Sequence, residues 1–128
     1  MNRIRINVLA SVGLLLSFTS QAFAQEKVCL MEGILPLGDE KIETKDCLQN
    51  NGVPQAQFTK ICDTLSRTAV ADDVPPAKIT YMATCPSQSQ GSCEGFLGRP
   101  MTNYYYKHDV ESLPTIKAIC QSQGGKWK

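Results

Sequence analysis

The sequence has 128 residues, 13 Lys+Arg against 12 Asp+Glu, and a formal net charge of +1. That balance excludes the basic surplus of a nucleic-acid-binding domain, and the length allows one domain with a modest core. Six cysteines are many for so short a chain and point to a disulfide framework in an oxidising compartment.

Residues 1–24 read as a cleaved signal peptide. Arg3 and Arg5 open it, an apolar run follows from Ile6 to Phe18, and Ala22-Phe23-Ala24 supplies a small-x-small cleavage site. The run is shorter than the roughly 20 apolar residues of a membrane span. No cysteine stands at the cleavage point to carry a lipid. Residues 25–128 are therefore expected as a single cysteine-rich exported domain, bacterial and periplasmic or secreted, with no membrane insertion once the leader is removed.

Residues 27–35 read as a first strand ending at Pro36, with Gly38 and Asp39 turning the chain. Residues 39–50 are read as a helix stopped by Asn51-Gly52, although Ile42, Thr44, Asp46 and Leu48 also alternate as a strand would. Residues 54–67 are the clearest element. Pro54 suits a first helical position, and Phe58, Ile61, Cys62 and Leu65 fall on one helical face. The Ala-Asp-Asp-Val-Pro-Pro stretch that ends at Pro76 is a connector, because two prolines remove donors and push their predecessors into extended geometry.

Residues 77–85 alternate Ile79, Tyr81, Ala83 and Cys85 against Lys78, Thr80, Met82 and Thr84, the pattern of a half-buried strand. Pro86–Ser92 is a polar turn, Cys93–Leu97 a strand, Gly98-Arg99-Pro100 a second turn and Met101–Lys107 another strand, so two successive hairpins are expected. Leu113–Gln123 has helical spacing through Leu113, Ile116, Ile119 and Cys120, with Gly124 as its left-handed stop. Lys126–Lys128 adds a short extended piece that lays Trp127 against the sheet. The echo between Pro54…Cys62 and Pro114…Cys120 fits either a duplicated ancestor or two independent amphipathic helices. The expected fold is α+β: a small disulfide-stapled domain, an antiparallel sheet of three or four strands with two or three helices packed on one face.

Cys29, Cys47, Cys62, Cys85, Cys93 and Cys120 are expected to be fully paired. The close C-x-x-C spacings of zinc, haem and redox sites are absent. Fifteen connectivities are open to six cysteines. Residues 25–78 hold three of them, an odd number, so at least one bridge must cross to residues 79–128, with Cys62–Cys85 the suggested pair. His108 is the only histidine and is read as a solvent-facing residue beside Asp109. Asp72-Asp73 and Asp39-Glu40 lack the alternating oxygens of a calcium loop and read as solvated turns. No nucleophile elbow, metalloprotease helix, P-loop or dinucleotide pattern occurs, so no catalytic, cofactor-binding or metal residue is assigned.

Tyr104, Tyr105 and Tyr106 carry what functional signal there is. On a strand, Tyr104 and Tyr106 share one face and Tyr105 takes the other. If Tyr104 and Tyr106 turn inward, Tyr105 becomes the exposed aromatic anchor for a protein or glycan partner on the face away from the helices. The arrangement of Cys85-Pro86, Cys93 and the Cys120…Gly124-Gly125 end is similar to that of small exported bacterial proteins, a resemblance that transfers no functional residue. The expected function is a non-enzymatic extracytoplasmic binding or structural module. One alternative is an inhibitor of a secreted hydrolase that presents a rigid loop, Pro86–Ser92 or Gly98–Met101. A small hydrolase with clustered carboxylates is the other.

Overall fold

The computed structural model describes residues 26–68 and 74–128. The expected leader and Asp72-Asp73 lie outside the described residues. The elements are β1 (Val28–Leu37), β2 (Glu40–Asn50), α1 (Gln55–Thr68), β3 (Lys78–Met82), β4 (Gly91–Glu94), β5 (Met101–Tyr105), α2 (Leu113–Ser122) and β6 (Lys126–Trp127), with short 3₁₀ turns at 96–98 and 110–112. The architecture is α+β, with an antiparallel sheet of six strands in the order β3-β1-β2-β5-β4-β6, two helices and three disulfides. The sheet thus has more strands than the three or four the sequence suggested.

Residues 40–50 pair with β1 as a strand instead of forming the helix their start and stop signals favoured. Gly38, at φ 63°, opens a two-residue turn that holds Leu37 opposite Glu40, and a glycine with positive φ suits the first position of such a hairpin loop. Once that turn sets the register, period-2 alternation decides the face of every residue in β2. β1 runs on past Pro36 because a two-residue turn makes Leu37 and Glu40 the hydrogen-bonded pair. The N–H that Pro36 lacks would therefore point outward, to an edge where β3 no longer runs.

The second correction concerns β3. It forms no hairpin with β4 but returns to the outside of β1, pairing Cys29 with Tyr81. Only β4 and β5 make the second expected hairpin. The result is one ββαβ unit used twice. β1-β2-α1-β3 and β4-β5-α2-β6 meet at the antiparallel β2–β5 pair, about an approximate twofold through Leu48 and Asn103. Cys29 and Cys93 are equivalent in the two units, and each is bridged to its own helix, Cys29 to Cys62 and Cys93 to Cys120.

One register row crosses the whole sheet: Tyr81, Cys29, Leu48, Asn103, Cys93 and Trp127. Side chains in one row share a face, so both helices, tethered through Cys29 and Cys93, lie on the same side. Phe58 and Cys62 of α1 are fully buried there with Cys29, Met31, Leu48 and Met101. Ile116 and Cys120 of α2 pack with Cys93, Tyr105 and Trp127. The opposite face buries Val28, Leu30 and Cys47 under the segment that follows β3. Ala83 and Thr84 bend the chain out of the strand, which carries Cys85 round to Cys47.

All six cysteines are paired, and the crossing bridge is Cys47–Cys85 rather than Cys62–Cys85. The bridges span 33, 38 and 27 residues. Closing a loop of that length stabilises the fold by about 3–4 kcal/mol in the chain-entropy account.

Candidate functional site

Tyr104 and Tyr106 share one face and Tyr105 takes the other, but the faces are the reverse of the sequence expectation. Tyr105 is 8% exposed on the helix side, between Trp127 with ring centroids 5.5 Å apart and His108 at 5.4 Å. Burial raises its hydroxyl pKa, partly opposed by a hydrogen bond with Asn103. It is a core residue packed with Cys93 and Cys120. Tyr104 and Tyr106 lie half-buried on the far face, and their hydroxyls are committed, Tyr104 donating to Gln49 Oε1 (3.1 Å) and Tyr106 to the Pro86 carbonyl (2.6 Å).

His108 is not the solvent-facing residue its place beside Asp109 suggested. Its Nε2 donates to Asp46 Oδ1 at 2.9 Å, and its backbone is clamped by Gln90, whose side-chain amide bonds both the His108 carbonyl (2.8 Å) and its N–H (2.9 Å). Burial pushes the Asp46 carboxyl up, against the opposing pull of His108. Beside this cluster Asn103 Oδ1 is buried without a hydrogen-bond partner among the described residues. The pairing of Asp46 with Tyr105 across the β2–β5 junction and the clamp by Gln90 make His108 a fastening between the two units. The sequence signal for it was the parity of Asp46, which becomes readable only once residues 40–50 are a strand.

Both loops suggested as rigid segments are fastened back to the body of the fold. Pro86–Gln90 is laid over the far face by Cys47–Cys85 and the Tyr106 hydroxyl, and 98–101 is a tight turn bonded back through Gly98 N–H to the Gly95 carbonyl. What projects is the β1–β2 hairpin. β3 pairs β1 only as far as Glu32, and β5 pairs β2 only from Asp46 onward. The five pairs from Gly33–Thr44 to Leu37–Glu40 therefore form a two-stranded arm about 16 Å long at the usual strand rise.

The arm carries Ile34, 53% exposed, and exposed Pro36, flanked by exposed Glu40, Lys41 and Glu43. Glu43 is held by Lys107, two residues past the end of β5, and that contact lowers the Glu43 pKa and raises the Lys107 pKa. The equivalent hairpin of the second unit, β4–β5, ends its ladder one residue past Cys93 and has no such extension. The arm is thus an addition to the repeated unit and not a requirement of it. Its sequence signal is the Gly38-Asp39 turn between two long alternating runs, a pattern that a strand followed by a helix satisfies as well.

Among the described residues, no three His, Cys, Asp or Glu side chains converge as metal ligands, and no helix is long and apolar enough to cross a membrane. Three disulfides fit an oxidising, extracytoplasmic environment. No family model, curated protein or solved structure matches the chain.

Proposed function

We propose that the chain is a non-enzymatic binding module of the periplasm or extracellular space, and that its partner is a protein gripped by the β1–β2 arm. The observation that supports this reading is the asymmetry between two otherwise equivalent units. The first alone extends its hairpin past the strands on either side, and the extension exposes an isoleucine that the core does not use. An exposed apolar centre inside a charged rim is the usual make-up of a protein-binding patch. A glycan partner is disfavoured because the tyrosine rings that would stack on a sugar are buried or half-buried with their hydroxyls engaged.

The same projection favours inhibition of a secreted hydrolase as the second reading, with the arm in place of the loops first considered. The test is site-specific photo-crosslinking from position 34 in living cells, compared with position 104, followed by titration of the purified captured protein with Ile34→Ser. Loss of at least tenfold in affinity with an unchanged unfolding midpoint supports the arm. Capture from position 104 alone, or undiminished affinity, discards it. A captured hydrolase whose turnover falls on binding selects the inhibitor reading.

A further inference from the structure

A groove of about 380 Å³ runs along α1 on the helix face. It lies at the end of the sheet away from the arm, because the Asn51 N–H at the far end of β2 bonds the Pro100 carbonyl of the β4–β5 turn. Ile61 and Leu65 of α1 form one wall, Leu97 of that turn forms the other, and Gln57, Lys60, Thr64 and Arg99 complete the lining.

Leu97 is the unusual member. Its backbone is left-handed at φ 56°, ψ 25°, a conformation that crowds an L side chain against its own carbonyl, and the side chain is 43% exposed. Gly95 and Gly98 on either side already take positive φ, and a glycine at 97 would remove the strain and the exposed apolar surface together. The turn does not require leucine. Retained strain of this kind is a pointer to function.

The charges point to the ligand. Neither Lys60 nor Arg99 has a carboxylate within ion-pair distance among the described residues. Asp63, close by in sequence, is bound to Arg67 and lies about 200° round the helix from Ile61. Apolar walls between two cations on separate elements match an apolar side chain with a carboxylate on each flank better than one acidic head group. From Gln57 to Leu65 the groove follows about 12 Å of helix, the span of three or four extended residues.

We propose that this groove binds an acidic peptide segment of a partner protein, with a leucine-type side chain between Ile61, Leu65 and Leu97 and carboxylates beside Lys60 and Arg99. The site is independent of the arm.

The experiment is a methyl and amide NMR titration of the disulfide-intact protein with acetyl-Asp-Leu-Leu-Asp-amide. The expected result is saturable shifts at Ile61, Leu65 and Leu97 that weaken with salt and are absent with acetyl-Lys-Leu-Leu-Lys-amide. Lys60→Ala and Arg99→Ala should each weaken binding roughly two- to fivefold, as exposed ion pairs do. Leu97→Gly should lose binding while its unfolding midpoint stays or rises, which separates recognition from folding. No saturable shift into the millimolar range, equal binding of both peptides, or full affinity in Leu97→Gly overturns the proposal. So does octanoate shifting the same methyls where the acidic peptide does not, which would make the groove a site for small amphiphiles.

Discussion

The indole of Trp127 lies on Gly91. A Cβ at that glycine would fall 2.9 Å from Cε2 and from Cη2, and closer still to Cζ2. β6 is only two residues long and holds on through Cys93 opposite Trp127 and a pair of backbone bonds between Ser92 and Lys128. Its seat therefore depends on the indole packing between Gly91 and Tyr105, whose ring is tilted 31° to it. Gly91→Ala should displace the ring and cost about 1–3 kcal/mol, as overpacking does. A lowered denaturation midpoint together with red-shifted tryptophan emission is the expected outcome, and unchanged emission would mean that the ring sits elsewhere.

Phe58 and Leu65 divide the inner face of α1 unequally. Phe58 is 0% exposed, whereas Leu65 is only half-buried and lines the groove. Phe58→Ala should cost about 3–5 kcal/mol as full core truncations do, and Leu65→Ala should fall below the 2–5 kcal/mol typical of a buried leucine, at about 1 kcal/mol. Denaturant midpoints of the two variants check the order. Equal losses would mean that the helix face is turned by one residue relative to this packing.

What the sequence made legible was local. The helical spacing of Phe58, Cys62 and Leu65, the left-handed Gly124 and the full pairing of six cysteines each follow from periodicity, turn chemistry or parity, and each is present in the fold. What it concealed depended on pairing between distant segments. Residues 40–50 satisfied helix signals and strand alternation alike, and only β1 across the Gly38 turn decides between them. The faces of Tyr104, Tyr105 and Tyr106 were fixed relative to one another by parity. Which face met the helices depended on the register of β5 against β2, since Asn103 shares a row with Cys29 and Cys93. The candidate sites inherited that blindness, because the arm exists only as the part of a hairpin that runs beyond the paired ends of β3 and β5.

Cys85 lies three residues past the end of β3, ahead of β4, and pairs with β2, so no disulfide joins the two ββαβ units. The crossing bridge required by cysteine parity spans residue 78 yet stays inside the first unit. A protease site inserted between Ser87 and Gln88, where the chain is exposed and Gln88 takes φ 65°, should give a nicked protein that stays associated under native conditions. On denaturing, non-reducing electrophoresis it should separate into two bands. A single band there would require a bridge across the β2–β5 junction and would contradict the connectivity.

Asp46 predicts a specific pH dependence. Burial holds its carboxyl above the ordinary carboxylate range, only partly offset by His108, so the folded state binds that proton more tightly than the unfolded chain does. Such a group contributes stability that is fully present below the ordinary carboxylate value, about 4, and is lost as pH rises through the folded value. Glu43 and Glu94 act in the opposite sense. Each is held low by a lysine, Lys107 and Lys128 respectively, and each contributes stability lost as pH falls. The wild-type curve mixes both behaviours, whereas the difference between Asp46→Asn and wild type isolates Asp46. Asparagine stands in for the protonated acid and still bonds His108, so the two proteins should match below about pH 4. The variant should then gain relative stability as pH rises from there toward neutrality. Denaturant titrations at a series of pH values measure the difference directly. A variant that instead loses ground over that range would show that attraction to His108 outweighs the cost of burying the carboxylate, and that the fastening between the units is electrostatic.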